Sequence, residues 1–124
     1  MKRDPQLIRQ ILLTCESHEH GFAPSKLAIE GYTEEEIGYH VYLLGDARYM
    51  NVIDMTSFRS NQSPKAMPRS LTHAGHDFLD AIRDEEVWKS TKTIIAKTGG
   101  WTLGVIASVA TEIITRKAMA AIGS

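Results

Sequence analysis

The sequence lacks several features that mark specialised classes of protein. Cys15 is the only cysteine among 124 residues, so no intrachain disulfide can form, and we expect a reducing, cytoplasmic setting. Acidic and basic residues nearly balance at 15 and 14, and the net charge of −1 gives no overall attraction to nucleic acid or anionic membranes. No apolar segment of signal-peptide length follows the basic N-terminus. A single cytoplasmic domain with an appendage is therefore expected.

Motifs for catalysis, nucleotides and metals are also missing. Gly99-Gly100 follows a helical pattern and has no partner lysine, unlike a phosphate-binding loop. The histidines and acids of His18-Glu19-His20 and of the 73–77 segment include metal-ligand types, but two ligands on one helix face do not form a site. No nucleophile–base pattern is present. We expect no cofactor, no metal and no enzymatic activity.

The first element that the sequence does contain is a well-marked helix. Asp4 is a good N-cap, and Pro5 suits the first helical position. Apolar residues then recur with helical spacing at Ile8, Ile11, Leu12 and Cys15. The helix should end near residues 18–21. The following segment, residues 22–31, has room for one helical turn or for a short extended piece at residues 27–29.

A second helix and a hairpin come next. Thr33 and Glu36 form a capping box, and Ile37, Val41 and Leu44 form a buried stripe with His40 at its edge. Residues 50–54 are predicted to form a strand, and residues 69–71 are predicted to form the strand that pairs with it. The intervening polar stretch, with two prolines, predicts a long loop.

Helices complete the chain. Thr72 caps a third helix that directs Gly75, Phe78, Leu79 and Ile82 inward. Asp84 is a candidate cap for a fourth, whose apolar side carries Val87, Thr91, Ile94 and Ile95. Gly99-Gly100 then separates a final helix. This order predicts a mainly α protein with a small β-hairpin: a winged helix-turn-helix-like domain at 1–84, a connecting helix at 85–98 and a C-terminal helix at 99–124.

Several stretches are similar to a known family: KRD…LIRQILL, HGFAP, EGYTEEEIGYHVYLL, LTHAGHDFLDAIRD, VWKSTK and the Gly-Gly break. They resemble small bacterial and prophage proteins classified only as a domain of unknown function. The resemblance implies a winged-helix-like core and a phage or mobile-element setting, and it transfers no catalytic residues. Such proteins usually close the helix at the position of this second helix with Ala-Gly, where this chain has Asp46-Ala47-Arg48. A positive φ there would cost roughly 1 kcal/mol without glycine.

The second helix occupies the place of a DNA-recognition helix, but its outer face has the wrong chemistry for one. That face carries Glu35, Tyr39, Tyr42 and Asp46, with no lysine or arginine. Tyrosine is enriched at protein interfaces, so this surface is a candidate partner-binding site of unknown partner. Capping alone also explains acidic residues in a first turn, which leaves an idle solvated face as the alternative.

The hairpin loop carries the opposite charge. Arg59, Lys65 and Arg69 lie in or beside a stretch without acids, so DNA is a possible partner through phosphate contacts by this wing. Flexible basic loops also occur without such a role.

The C-terminal helix offers a wide apolar surface. Its candidate oligomerisation residues are Trp101, Leu103, Ile106, Val109, Ala110, Ile113 and Ile114. The nearly uncharged run from Trp101 to Thr115 is shorter than the roughly 20 residues of a membrane span. Packing on the protein's own core, self-association and membrane-surface binding all remain open, the last disfavoured because few basic residues flank the stripe.

Three functional hypotheses follow. The first is a non-enzymatic winged-helix interaction module that forms a homo-oligomer through its C-terminal helices. The second is a DNA-binding regulator that contacts the backbone through a basic wing. The third is a phage-related effector whose C-terminal helix acts on membranes.

Overall fold

The computed structural model describes residues 1–24, 26–57 and 63–123. Within these ranges the chain is mainly helical and has one antiparallel two-stranded hairpin, which confirms the predicted class at that level. The elements are α1 (Pro5–Glu16), a 3₁₀ turn (Glu19–Gly21), α2 (Glu34–Asp46), β1 (Met50–Asp54), β2 (Ala66–Leu71), α3 (His73–Ile82), α4 (Glu85–Thr98) and α5 (Leu103–Ile122).

The first helix begins as the sequence predicts and ends slightly earlier. The Asp4 carboxylate accepts hydrogen bonds from the backbone N–H groups of Gln6 and Leu7 at 2.9 and 3.2 Å. The α-helix stops at Glu16, and the chain then turns through left-handed backbone at His20 and Gly21. His18 has extended backbone with φ −78° and ψ +143°, so α1 cannot continue through it and does not reach the expected end at residues 18–21.

The capping box at the start of α2 is confirmed. The Thr33 hydroxyl accepts from the Glu36 N–H at 3.1 Å, and the Glu36 carboxylate accepts from the Thr33 N–H at 3.0 Å. At the other end, Arg48 has a φ of +65°. Its N–H donates to the Gly45 carbonyl and the Tyr49 N–H to the Leu44 carbonyl, both at 3.0 Å. This pair of bonds is a Schellman motif with a non-glycine residue in its left-handed position.

His40 is buried rather than at the edge of the apolar stripe, with a relative exposure of 1%. Its Nδ1–H donates to the Glu36 carbonyl at 2.7 Å, and its Nε2 accepts the Asp4 N–H at 2.9 Å. The Tyr32 hydroxyl donates to the other Asp4 carboxylate oxygen at 2.9 Å. The sequence pattern missed this burial because a histidine can enter a core when both ring nitrogens find partners.

The first strand matches its prediction, and the second is longer. β2 begins at Ala66, so the predicted start at Arg69 was wrong. Val52 faces Pro68 while Asn51 faces Ser70, which leaves Arg69 as an extra residue in a β-bulge. The bulge breaks the two-residue alternation, and Pro68 is atypical of strands, so the sequence concealed the first half of β2.

The chain divides into two compact units, Met1–Asp77 and Phe78–Ser124, with the boundary inside α3. In the first unit α1, α2 and the hairpin pack on one another. Its buried apolar residues come from all of these elements and from the segment before α2: Leu7, Ile8, Ile11, Leu12, Cys15, Leu27, Ile37, Val41, Leu44, Met50 and Ala66.

In the second unit α4 packs on α5. The Asp84 carboxylate caps α4 through the Val87 N–H at 3.0 Å, and Gly99 ends that helix with a φ of +79°. Thr102 caps α5. On the predicted apolar side of α4, Val87 and Thr91 are buried, Ile95 is half-buried and Ile94 is exposed. Trp88 is also buried. The buried residues of this unit are Phe78, Leu79, Ile82, Val87, Trp88, Thr91, Ile106 and Ala110.

Candidate interaction groove beside α2

Two glycines bring the hairpin close to α2. Gly38 and Gly45 are seven residues apart and therefore share a face of the helix. A Cβ atom at Gly45 would lie 2.4 Å from a methyl of Val52, and one at Gly38 would lie 3.1 Å from Cβ of Lys65. Any side chain at Gly45 would push the hairpin away. The absence of side chains at these two glycines therefore allows the hairpin to pack directly against α2.

Polar contacts hold the first turn of α2 to neighbouring loops. The Glu35 carboxylate accepts hydrogen bonds from the Ser63 hydroxyl at 3.2 Å and from the Ser63 N–H at 3.4 Å. Glu34 forms an exposed ion pair with Lys26, with 3.2 Å between Nζ and Oε1. The acidic residues of this turn therefore stabilise the contacts between α2 and the neighbouring loops.

A groove of about 510 Å³ lies between this half of α2 and the hairpin, and we call it the α2–hairpin groove. Its lining combines apolar side chains with acids and lysines: Lys26, Leu27, Glu34, Glu35, Ile37, Gly38, Val41, Met55, Ser63, Lys65, Ala66, Met67 and Pro68. Met55 is 46% exposed. An apolar surface bordered by charges of both signs is typical of a site for another polypeptide more than for a phosphate backbone.

The residues predicted as a partner surface do not all lie together. Glu35 lines the groove, while Tyr39, Tyr42 and Asp46 do not. The two tyrosines are half-buried, Asp46 is exposed, and the Tyr39 ring packs edge-on against the ring of His40 at 5.8 Å between centroids. The predicted outer face is therefore divided between the groove and a separate tyrosine surface.

The predicted basic wing is described only in part. Lys65 and Arg69 are exposed, and Lys65 also lines the groove. The Arg69 carbonyl accepts the Ala23 N–H at 2.8 Å, which joins the segment before α2 to the outer edge of β2. Arg59 lies outside the described residues.

The residues predicted for oligomerisation differ in exposure. Ile106 and Ala110 are buried within the chain itself. Trp101, Leu103, Val109 and Ile113 are half-buried, and Ile114 is exposed. Further apolar side chains on α5 are exposed at Val105, Met119 and Ile122.

Sequence reasoning missed the residues that shape the groove, namely Gly38, Met55, Ser63 and Met67. The seven-residue glycine spacing in α2 was a usable signal, because glycine in a helix interior is costly and indicates close packing. Met55 and Met67 lie in the stretch that the sequence predicts to be a polar loop, and that prediction gives no reason to assign either methionine to a binding site.

Two electrostatic features bear on the chemistry of the first unit. Burial raises the pKa of the Cys15 thiol to about 12, which keeps it protonated and unreactive. Hydrogen bonds from Thr56 lower the pKa of Asp54, which is the last residue of β1 at the loop end of the hairpin. In the described part of the chain no three histidine, cysteine or acidic side chains come together as a metal site would require. His73 and His76 instead lie 3.7 and 3.8 Å from carboxylates of Asp77 and Glu16.

None of the described helices combines the length and the apolar composition that a membrane span requires.

Comparisons with known proteins place the chain in a family. A family model described as "Hypothetical protein (DUF2513)" matches residues 2–101. An uncharacterized protein of Haemophilus influenzae (strain ATCC 51907 / DSM 11121 / KW20 / Rd) is 38% identical over 120 residues, which cover 94% of this chain and 98% of that protein. No solved structure matches the chain. The protein therefore belongs to the family described as "Hypothetical protein (DUF2513)".

Proposed function

We propose that the protein is a non-enzymatic, winged-helix-like interaction module. In this proposal the α2–hairpin groove binds a segment of a partner protein, and α5 mediates self-association. The order α1, α2, β1, β2, α3 supports the winged-helix-like assignment, with α2 in the recognition position and the hairpin in the wing position. Between α1 and α2 the described residues hold only a 3₁₀ turn, so the helix that normally precedes a recognition helix has no counterpart among them.

The observation that carries the proposal is the attachment of α2 to the hairpin. A recognition helix presents its N-terminal residues to base edges. Here the first turn is acidic, and Glu35 is hydrogen-bonded to Ser63. Entry into a DNA groove would place these acids beside phosphates and break the contact with the hairpin. Binding of a polypeptide in the groove requires neither change.

The groove also favours a particular partner chemistry. Ile37, Val41 and Pro68 supply an apolar wall, and Met55 and Met67 lie beside them. Methionine adapts its shape to different apolar side chains, which makes it common at peptide-binding surfaces. A partner segment with one large aliphatic or aromatic anchor would fill the groove, while Glu34 and Lys65 would meet polar groups beside the anchor.

Binding of displayed peptides tests this proposal. Peptides selected on the immobilised protein are measured against Met55→Asp and against Ile53→Asp as a matched control. The two side chains are 46% and 48% exposed, but only Met55 lines the groove. We expect Met55→Asp to weaken binding by about tenfold or more, equivalent to about 1.4 kcal/mol, and Ile53→Asp by no more than about twofold. Equal losses in both variants would contradict a site in the groove.

The second candidate is a DNA-binding regulator that contacts the phosphate backbone through the hairpin. Exposed Lys65 and Arg69 favour it. Phosphate contacts give an affinity for random duplex DNA that falls steeply with salt concentration. Replacement of Arg59, Lys65 and Arg69 by alanine should then remove most of that affinity, whereas the interaction module predicts little binding and no steep salt dependence.

A further inference from the structure

A narrow face of α5, separate from the one packed on α4, carries a second helical repeat. Its members are spaced by four, three, four and three residues, and we call them the α5 seam: Val105, Val109, Glu112, Arg116 and Met119. At 100° per residue these five positions fall within about 80° of the helix circumference. They lie roughly 120° around the helix from Ile106 and Ala110, the positions buried against the chain itself.

The α5 seam is open in the single chain. Val105 is 41% exposed and Met119 is 64% exposed. Glu112 and Arg116 form an exposed ion pair along the helix, with 2.9 Å between Nη2 and Oε1. Apolar residues thus occupy the two ends of the seam, and opposite charges occupy its middle.

Two copies of the α5 seam that run in opposite directions present complementary residues to each other. When two copies of α5 run antiparallel and cross at residue 114, Glu112 faces Arg116 of the partner subunit, and Arg116 faces Glu112 of the partner subunit. Val109 then faces Met119 of the partner subunit. A parallel arrangement would instead place Glu112 against Glu112 of the partner subunit and Arg116 against Arg116 of the partner subunit. Both contacts would be repulsive. Opposite charges at such positions set the direction of helix pairing.

We propose that the α5 seam pairs with a second copy of this chain as a two-fold symmetric, antiparallel helix pair. This arrangement specifies the geometry of the self-association in the proposed function and rests on it. The four charges form one network at the centre, and the valines and methionines at both ends supply the apolar contact. The seam extends about 21 Å, shorter than a standard interface requires, so the dimer should dissociate at micromolar concentrations.

Charge reversal tests the pairing by sedimentation equilibrium of the full chain at tens of micromolar. Glu112→Arg and Arg116→Glu each create like charges across the two-fold axis, and each should raise the dissociation constant about tenfold or more. An equimolar mixture of the two variants should form heterodimers, and the double variant E112R/R116E should return to within about threefold of the original constant. Ala118→Glu is the matched control and should change little, because Ala118 is exposed on α5 away from the seam and is not among the residues predicted for oligomerisation.

Cysteine cross-linking tests the direction. Cys15 is buried, so a new surface cysteine can be oxidised with little background. A mixture of Val109→Cys and Met119→Cys chains should form disulfide-linked heterodimers with copper–phenanthroline as oxidant, whereas each variant alone should form few. Efficient linking of Val109→Cys to itself would overturn the antiparallel arrangement.

The outcomes separate the two proposals. A chain that is already monomeric at tens of micromolar overturns the seam together with self-association, and peptide binding in the groove still decides the remainder of the proposed function. A dimer that is insensitive to both charge reversals but lost in Ile114→Glu overturns the seam alone and places the contact on the opposite side of α5.

Discussion

At the scale of single residues, Arg48 marks a place where the chain adopts a costly backbone conformation. It takes the left-handed position that closes α2, with a φ of +65°. A side chain in this conformation costs roughly 1 kcal/mol relative to glycine, because Cβ approaches the neighbouring carbonyl oxygen. The family resemblance led to this expectation at the right position, since the chain has Asp46-Ala47-Arg48 where Ala-Gly is usual.

Arg48→Gly should therefore stabilise the protein. We expect the free energy of unfolding to increase by up to about 1 kcal/mol, partly offset by the greater freedom of glycine in the unfolded chain. The neighbouring variant Ala47→Gly is the control. Ala47 has an ordinary right-handed φ of −75°, so this change should destabilise by about 0.5–1 kcal/mol. Urea denaturation measures both, and a less stable Arg48→Gly would show that the arginine side chain makes a compensating contact.

At the scale of elements, the contact between α3 and the turn after α2 depends on the absence of a side chain. A Cβ atom at Gly75 would lie 1.9 Å from the Tyr49 carbonyl oxygen. The Thr72 hydroxyl donates to the Arg48 carbonyl at 2.8 Å and caps α3 through the Gly75 N–H at 3.0 Å. The start of α3 is consequently fixed against the end of α2 by backbone contacts.

Gly75→Ala should destabilise the protein despite the higher helix propensity of alanine. Backbone must move to admit the methyl group, and overpacking of this kind costs typically about 1–3 kcal/mol. Gly104→Ala is a matched change near the start of α5, where a Cβ would approach only a threonine hydroxyl at 3.8 Å. That variant should be neutral or stabilised by up to about 1 kcal/mol. Thermal unfolding compares the two, and equal effects would contradict the close contact at Gly75.

The elements show which features the sequence could predict. Caps at Asp4, Thr33 and Asp84 act through neighbours within three residues, so the sequence contained the whole interaction and all three predictions are confirmed. The start of β2 and the full burial of His40 depend on residues more than ten positions away. The predicted start of β2 was wrong, and the apolar pattern placed His40 only at the edge of the buried stripe. The groove depends on such distant contacts as well, since it forms only where α2, the hairpin and the segment before α2 meet.

At the scale of the whole molecule, the buried Cys15 thiol and the half-buried Tyr32 hydroxyl couple stability to alkaline pH. Burial raises the pKa of Cys15 from 9.0 to about 12. Burial, the hydrogen bond to Asp4 and the charges of Asp4 and Glu36 raise the pKa of Tyr32 above 10.0. In each case the folded chain keeps a proton that the unfolded chain releases. The stabilisation is therefore fully present below pH 9 and declines as the pH rises toward the folded pKa values.

Unfolding free energy should accordingly fall between about pH 9 and pH 12, and one retained proton contributes a slope of up to about 1.4 kcal/mol per pH unit. Urea denaturation across this range measures the slope. Cys15→Ala should make the decline shallower, because it removes the thiol that titrates only on unfolding. Val41→Ala is the control, because it truncates a buried side chain that has no titratable group, and it should leave the slope of the decline unchanged. If Cys15→Ala kept the full slope, the thiol would already be ionised in the folded chain, and rapid alkylation of the native protein at pH 10 would confirm that exposure.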